Sequence, residues 1–231
     1  METIGYADDL ALVVTAKGKT ELETKANVAI LQVTEWIEGR GLSVAPQKTE
    51  AFLLAGRRKV KEANVRVKDE MIRSKESVKH LGVTFSKDTH FGNHIREVTG
   101  RAGLLATRLA RIIPSVGGPR MSKRKAIYSS VRSLMMYAAP VWHRVMEIGR
   151  YKNMAARVQR QMVLKVCAAY RTVSTEAAEV IAAVPPFDLQ VRERMKARER
   201  GEEKKEAIAE TLVVWQRRWD DLQDKAQWPK R

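Results

Sequence analysis

The chain has 231 residues, a net charge of +16 and a hydrophobic fraction of 44%, a globular composition that excludes a disordered chain. Its longest apolar runs, such as Leu10–Val14, are too short to cross a bilayer, and Met1–Ile4 have neither the basic nor the apolar region of a signal peptide. Cys167 is the only cysteine, so an internal disulfide and a cysteine-built zinc site are excluded, and an intracellular, reducing compartment is expected.

The first ninety residues read as mixed α and β. Leu10–Val14 is a short strand. Thr20 opens a helix, with Glu23 placed for a capping box. Leu22, Ala26, Ala29, Ile30, Val33, Trp36 and Ile37 continue it as one apolar stripe, and Gly39 and Gly41 end it. Leu42–Val44 and Ala51–Leu54 predict strands around a turn at Pro46. Asn64–Val67 predicts a hairpin arm, and Val78–Phe85 a further β segment broken at Gly82. From about residue 90 the pattern is helical. Ile95, Val98, Ala102, Leu105, Leu109 and Ile112 form a stripe that ends before Pro114 and Gly117-Gly118-Pro119. Helices follow over about 122–139, ended or kinked by Pro140, over 150–168, and from the N-cap Ser174 to Pro185-Pro186. The last segment, from Leu189, predicts a mixed-charge helix, then Trp215, Trp219 and Trp228 close the chain. The run Arg192–Glu206 predicts a solvated face, and the pair Trp215 and Trp219 a packing contact.

Charge is unevenly spread. Net charge is +2 over residues 1–90, +11 over 91–190 and +3 over 191–231. A basic middle third attracts polyphosphate, which points to a nucleic-acid partner. The clusters Arg57-Arg58-Lys59 and Lys123-Arg124-Lys125 suit either nuclear import or phosphate contact, leaving localisation nuclear or cytoplasmic. His80, His90, His94 and His143 read as polar structural residues.

Chemistry concentrates in Gly5-Tyr6-Ala7-Asp8-Asp9-Leu10. Two adjacent carboxylates beside an apolar strand are costly to bury. A turn between two strands would expose both at one edge, where Mg²⁺ accepts carboxylate oxygens together with substrate phosphates.

This stretch resembles the Tyr-x-Asp-Asp box of reverse transcriptases from non-LTR (LINE-type) retrotransposons. The resemblance continues in order over roughly residues 4–220. Gly41–Glu50 is similar to the next palm motif, in which a lysine, here Lys48, follows a strand and turn. Val78–Val83 resembles the hairpin that grips the primer end. Tyr128–Val145 and Arg157–Pro186 resemble the helical region beyond the palm. The implied fold is α+β: the C-terminal part of a polymerase palm over 1–90, a basic all-α thumb or connector over 91–190, and a helical tail over 191–231. The implied activity is RNA-directed DNA polymerisation by a two-metal Mg²⁺ site, with an RNA template and a DNA primer as partners and no membrane.

By the same resemblance, Asp8 and Asp9 are metal-binding catalytic carboxylates. Lys48 would assist pyrophosphate departure. Tyr6, Leu81 and Gly82 would contact the primer end, and Arg96, Arg101, Arg108, Lys123, Arg124 and Lys125 the template–primer backbone. The third carboxylate and the fingers of such an enzyme would lie upstream of Tyr6, so the polypeptide alone is expected not to polymerise. A non-catalytic nucleic-acid-binding protein and a helical protein-interaction module are the alternative readings.

Overall fold

A computed structural model describes residues 1–54, 60–87, 90–114, 118–199 and 204–225. Arg57-Arg58-Lys59, Trp228 and part of the Arg192–Glu206 run lie outside the described residues. The architecture is α+β and falls into two units, Met1–Thr89 and His90–Arg231. The described strands all belong to the first unit, and seven of the eight described α-helices to the second. No helix among the described residues is long and apolar enough to cross a membrane.

In the first unit, β1 (Glu2–Tyr6) pairs antiparallel with β2 (Asp9–Val13). β3 (Asn64–Val67) pairs with β4 (Glu70–Arg73), and β5 (Ser77–His80) with β6 (Val83–Ser86). The helix α1 (Lys19–Glu38) packs beside β3. Val65 and Val67 are buried and alternate with exposed Arg66, the period of a strand with one covered face.

The predicted Thr20–Glu23 capping box does not form. The helix starts at Lys19, which places Thr20 inside its first turn, and the N-cap Gly18 has no side chain to offer. Glu23 serves β3 instead. Its Oε1 accepts the Asn64 N–H at 2.8 Å, and Asn27 Oδ1 accepts the Arg66 N–H at 2.8 Å. Four residues of helix rise about 6 Å and two residues of strand about 6.7 Å. One helix face therefore meets two successive outward amides of the strand. Ala26 and Ala29 of the predicted stripe are buried, whereas Trp36 is exposed and carries the Arg40 guanidinium 3.7 Å above its ring.

The predicted strands Leu42–Val44 and Ala51–Leu54 are absent. Residues 42–45 are irregular, Pro46–Lys48 is a 3-10 turn, and Phe52 makes only an isolated parallel bridge to Lys75. Apolar residues suited to a strand still require a ladder partner for their amides, and among the described residues no strand runs beside either segment.

The second unit comprises α2 (Gly92–Arg111), α3 (Met121–Met136), α4 (Ala139–Trp142), α5 (Gly149–Val166), α6 (Thr175–Ala182), α7 (Phe187–Glu199) and α8 (Lys204–Lys225). Its core joins Ile95, Val98 and Ala102 of α2 to Val131, Trp142, Met162 and Phe187. Trp142 is wholly buried. Its indole N–H donates to the Tyr137 carbonyl at 2.8 Å, and its ring stacks on Phe187 at 6.5 Å and 9°. Truncating such a ring to alanine costs about 3–5 kcal/mol.

The α2 stripe runs as predicted through Leu109, with Leu105 and Leu109 packed against the core, but ends differently. Ile112 is 65% exposed and Ile113 fully buried, because the helix stops at Arg111 and the chain leaves the helical period there. Pro140 opens α4 rather than ending α3, since the chain has already turned at extended Tyr137 and left-handed Ala138, φ +51°. Ser174 caps α6 as predicted, its Oγ accepting the Ala177 N–H at 3.1 Å.

The segment after residue 190 is joined to the helices before it. Val191 is in the core, and Asp188 takes a two-point contact from Arg218 of α8 at 3.1 and 2.7 Å, and Lys152 at 2.9 Å. Burial pushes the Asp188 carboxyl up, but the bonds from Arg218 and Lys152 outweigh it and leave the group below its ordinary value. Glu179 of α6 has no such bonds among the described residues, only the charge of Arg218 acting against the shift. Burial, with Glu176 and Asp188 nearby, raises it to about 8. Trp215 and Trp219 lie half-buried on α8.

Candidate functional site

Tyr6 and Asp9 are the closing pair of the β1–β2 hairpin, leaving Ala7 and Asp8 as a two-residue turn. Ala7 takes φ +53°, the left-handed geometry that tight hairpin turns require at their first central residue and usually give to glycine. Holding it with a Cβ costs about 1–2 kcal/mol. The geometry sets Asp8 at the tip and Asp9 one residue into β2. Both are exposed, as is Tyr6, and neither carboxylate has a hydrogen bond or ion pair among the described residues. Ile4, Leu10 and Val13 are also exposed, and among the described residues no third strand joins the pair. A lone two-stranded hairpin is marginal in water.

Two adjacent carboxylates without partners are a donor set that fits Mg²⁺, which binds one or two carboxylates, substrate phosphates and water. They fit as part of a shell. No group of three or more His, Cys, Asp or Glu that could hold a metal ion occurs among the described residues. His94 belongs to the core, 6.2 Å from Trp142.

Lys48 ends the 3-10 turn. Gln47 Nε2 donates to Glu70 Oε1 at 2.7 Å, and Thr49 Oγ1 to the Ala45 carbonyl at 3.0 Å, so the turn is tied down on both sides of an exposed lysine. Leu81 and Gly82 form the turn of the β5–β6 hairpin with φ +46° and +79°, the paired left-handed values of a type I′ turn. Asp8 thus lies in the expected turn with Asp9 at the start of β2, and the β segment breaks at Gly82 as expected, whereas no strand leads into the turn that Lys48 ends.

The basic residues belong to the second unit. Between Val98 and Thr175 the only acidic residue is Glu147. Arg101, Arg108 and Lys123 are exposed and Lys125 half-buried, with no acidic partner among the described residues. Arg96 is engaged. It donates to the Tyr151 hydroxyl at 3.1 Å and to Asn93, and lies 5.6 Å from the Tyr151 ring centre. Tyr151 sits so close to α2 that a Cβ on Gly92 would come within 2.2 Å of its hydroxyl oxygen.

Arg124 departs from the expected phosphate-facing role. It is 5% exposed, and its guanidinium donates to the carbonyls of Pro119 at 2.6 Å, Lys165 at 2.8 Å and Pro114 at 2.7 Å. Three neighbours on a helix span about 200° of its circumference, and the middle one here meets the Pro114, Pro119 and Lys165 carbonyls while Lys123 is exposed and Lys125 half-buried. Arg124 is the one turned in.

Sequence reasoning missed a second basic group, Arg157, Arg160, Lys165 and Arg171, which with Tyr170 line a cleft of about 760 Å³ beside α2 and α5. The acid-free stretch from Ile148 to Thr175 was its only sequence signal.

The chain is similar to a putative 115 kDa protein in the type-1 retrotransposable element R1DM of Drosophila melanogaster, 28% identical over 242 residues that cover 94% of this chain and 23% of that protein. It is likewise similar to two Pol polyproteins from type-1 retrotransposable elements of Nasonia vitripennis. One, from element R1 2, is 26% identical over 93% of this chain and 59% of its own length; the other, from element R1, is 29% identical over 81% and 57%. The chain therefore spans between about a quarter and three-fifths of the length of these relatives. No protein-family profile and no solved structure matches it. The similarity extends over most of the chain and recurs in R1 elements of different insects, and the chain is accordingly a protein derived from a non-LTR retrotransposon.

Proposed function

We propose that this chain carries the catalytic hairpin and the helical thumb or connector of a retrotransposon RNA-directed DNA polymerase, and that it supplies part of the active site rather than all of it. The observation that carries this reading is the β1–β2 hairpin end, with Asp8 in the turn and Asp9 at the start of β2, both exposed and without partners among the described residues. In this reading the two carboxylates hold divalent metal. When bound, that metal lowers the pKa of a primer 3′ hydroxyl and stabilises departing pyrophosphate. Tyr6, paired with Asp9, lies against the primer end. The Lys48 ammonium neutralises charge on the leaving phosphates or donates a proton to them. The Leu81-Gly82 turn brings backbone close to the primer. Arg101, Arg108, Lys123 and Lys125 contact template–primer phosphates, fixing position without reading sequence. Arg96 adds charge from its place on Tyr151, and Arg124 keeps the helices in place.

Paramagnetic Mn²⁺, titrated with a deoxynucleoside triphosphate into the isotope-labelled chain, is expected to broaden the amide resonances of residues 6–10 first. Asp8→Asn and Asp9→Asn are expected to remove that selectivity. Uniform broadening unaffected by either variant would overturn the metal-site assignment. Primer extension on an RNA template in Mg²⁺ is expected to be absent for the chain alone. Robust extension abolished by Asp8→Ala would overturn the partial-site reading.

A further inference from the structure

The cleft beside α2 and α5 has no role in the polymerase reading. Its floor includes Leu164, Ala168 and Ala169, and Gln161 Nε2 closes one side by donating to Thr107 Oγ1 at 3.0 Å. All the charged residues that line it are cationic. Arg157, Lys165 and Arg171 make no hydrogen bond or ion pair through their side chains among the described residues. Their charge is therefore available to a ligand.

Tyr170 stands on the rim, 83% exposed. A single exposed aromatic is unremarkable on its own. This one is held on a fixed loop. The end of α5 is closed by the Ala169 N–H on the Leu164 carbonyl at 2.9 Å and the Ala168 N–H on the Lys165 carbonyl at 3.4 Å, with Ala168 at φ +54°, the pairing of a Schellman cap. Beyond it, Arg160 donates to the carbonyls of Arg171 at 2.9 Å and Val173 at 2.8 Å and to Thr175 Oγ1 at 2.8 Å. Arg160 is thus a positioning residue for the backbone that carries the tyrosine.

An exposed aromatic ring on a fixed loop beside unneutralised cations is the arrangement that binds single-stranded nucleic acid, the base stacking on the ring and the backbone lying along the charges. A volume near 760 Å³ is within the range of ligand clefts, about 300–1,000 Å³. We infer that this cleft binds an unpaired nucleotide of single-stranded nucleic acid, with Tyr170 as the stacking platform and Arg157, Lys165 and Arg171 as the phosphate contacts. The inference rests on the proposed function only for its class of ligand and is independent of the carboxylates at the hairpin. It assigns to the helical unit a preference for unpaired strand, which backbone contacts to a duplex do not supply.

Fluorescence anisotropy of the full chain tests it, using labelled oligo(U) of about 12 nucleotides, within the usual site sizes, and an RNA–DNA duplex of similar length at about 50 mM salt. Tyr170→Ala is expected to weaken oligo(U) binding about tenfold, to leave the duplex unchanged, and to leave the salt dependence unchanged. Tyr170→Phe is expected to bind as the parent does, because the ring and not the hydroxyl stacks. Lys165→Ala and Arg171→Ala are each expected to reduce the slope of log K against log salt for oligo(U) by about 0.7. Oligo(U) affinity indifferent to Tyr170→Ala, or an equal loss on both ligands, would overturn the cleft assignment. Duplex binding without oligo(U) binding would overturn it too, while leaving the proposed function in place. Failure of the Mn²⁺ experiment would remove the polymerase reading and leave the cleft standing.

Discussion

Replacing Arg124 separates a structural arginine from a nucleic-acid-binding one. Its guanidinium joins three carbonyls at 2.6–2.8 Å, from Pro114 after α2, Pro119 before α3 and Lys165 near the end of α5. In Arg124→Ala these carbonyls lose their charged donor. The Lys165 carbonyl keeps the Ala168 N–H and Pro114 is exposed to water, so the loss is mainly that of the charge-assisted bonds, about 1.5–3 kcal/mol each at most, and since the three are not independent the expected total is about 3 kcal/mol. Arg124→Lys keeps the charge but has one mobile ammonium in place of a planar fork. It restores one contact and is expected to cost about 2 kcal/mol. For a unit of this size 1 kcal/mol shifts Tm by about 2–4 °C, so Arg124→Ala should melt roughly 6–12 °C below the parent. Urea titration followed by far-UV circular dichroism gives the free energy, and the salt dependence of oligonucleotide binding gives the second readout. The folded variant is expected to keep the parent salt slope, whereas Lys123→Ala loses part of it. A stability loss under about 1 kcal/mol together with a salt slope reduced as in Lys123→Ala would refute the reasoning and return Arg124 to the binding surface.

Glu179 predicts a pH effect. Its folded-state pKa near 8 lies above the unfolded value of about 4.3, so the folded chain holds a proton that the unfolded chain releases. Stability should decline as pH rises between those two values. Glu179→Gln is expected to flatten that decline and raise Tm most at the alkaline end; a variant whose Tm tracks the parent at every pH would refute the assignment. Ala183 sits at φ +49° in the cap of α6, its N–H on the Val180 carbonyl and the Val184 N–H on the Glu179 carbonyl, both at 2.9 Å. Ala183→Gly is expected to gain about 0.5–1 kcal/mol by relieving that conformation, measured by urea denaturation, and any destabilisation would count against it.

Much of the helical unit was legible because apolar spacing reports directly which face is covered. The turns at Asp8 and at Leu81-Gly82 were legible for a related reason, since carboxylates and a glycine between apolar runs leave a strand few alternatives. What failed depended on partners distant in sequence. Glu23 occupies the position of a capping residue, yet its acceptor is used by Asn64 of β3. Ala51–Leu54 has the composition of a strand, yet its only described pairing is the single bridge from Phe52 to Lys75. Arg124 could not be told from Lys123 and Lys125 without knowing which side of α3 meets α5. The cleft at Tyr170 escaped because Arg160 reaches forward over more than ten residues to build it, and no local pattern encodes that reach.

The contact of α1 with β3 has a consequence beyond the unit it stabilises. A strand at a sheet margin exposes a row of amides that any other extended chain can join, which is the usual start of aggregation. Here the Asn64 and Arg66 amides are already taken by Glu23 and Asn27. The helix thereby acts as a guard rail, and two side chains on its flank make this margin non-adhesive. Loss of Asn27 would reopen the Arg66 amide without disturbing the fold's interior, so its cost is expected in solubility rather than in core packing.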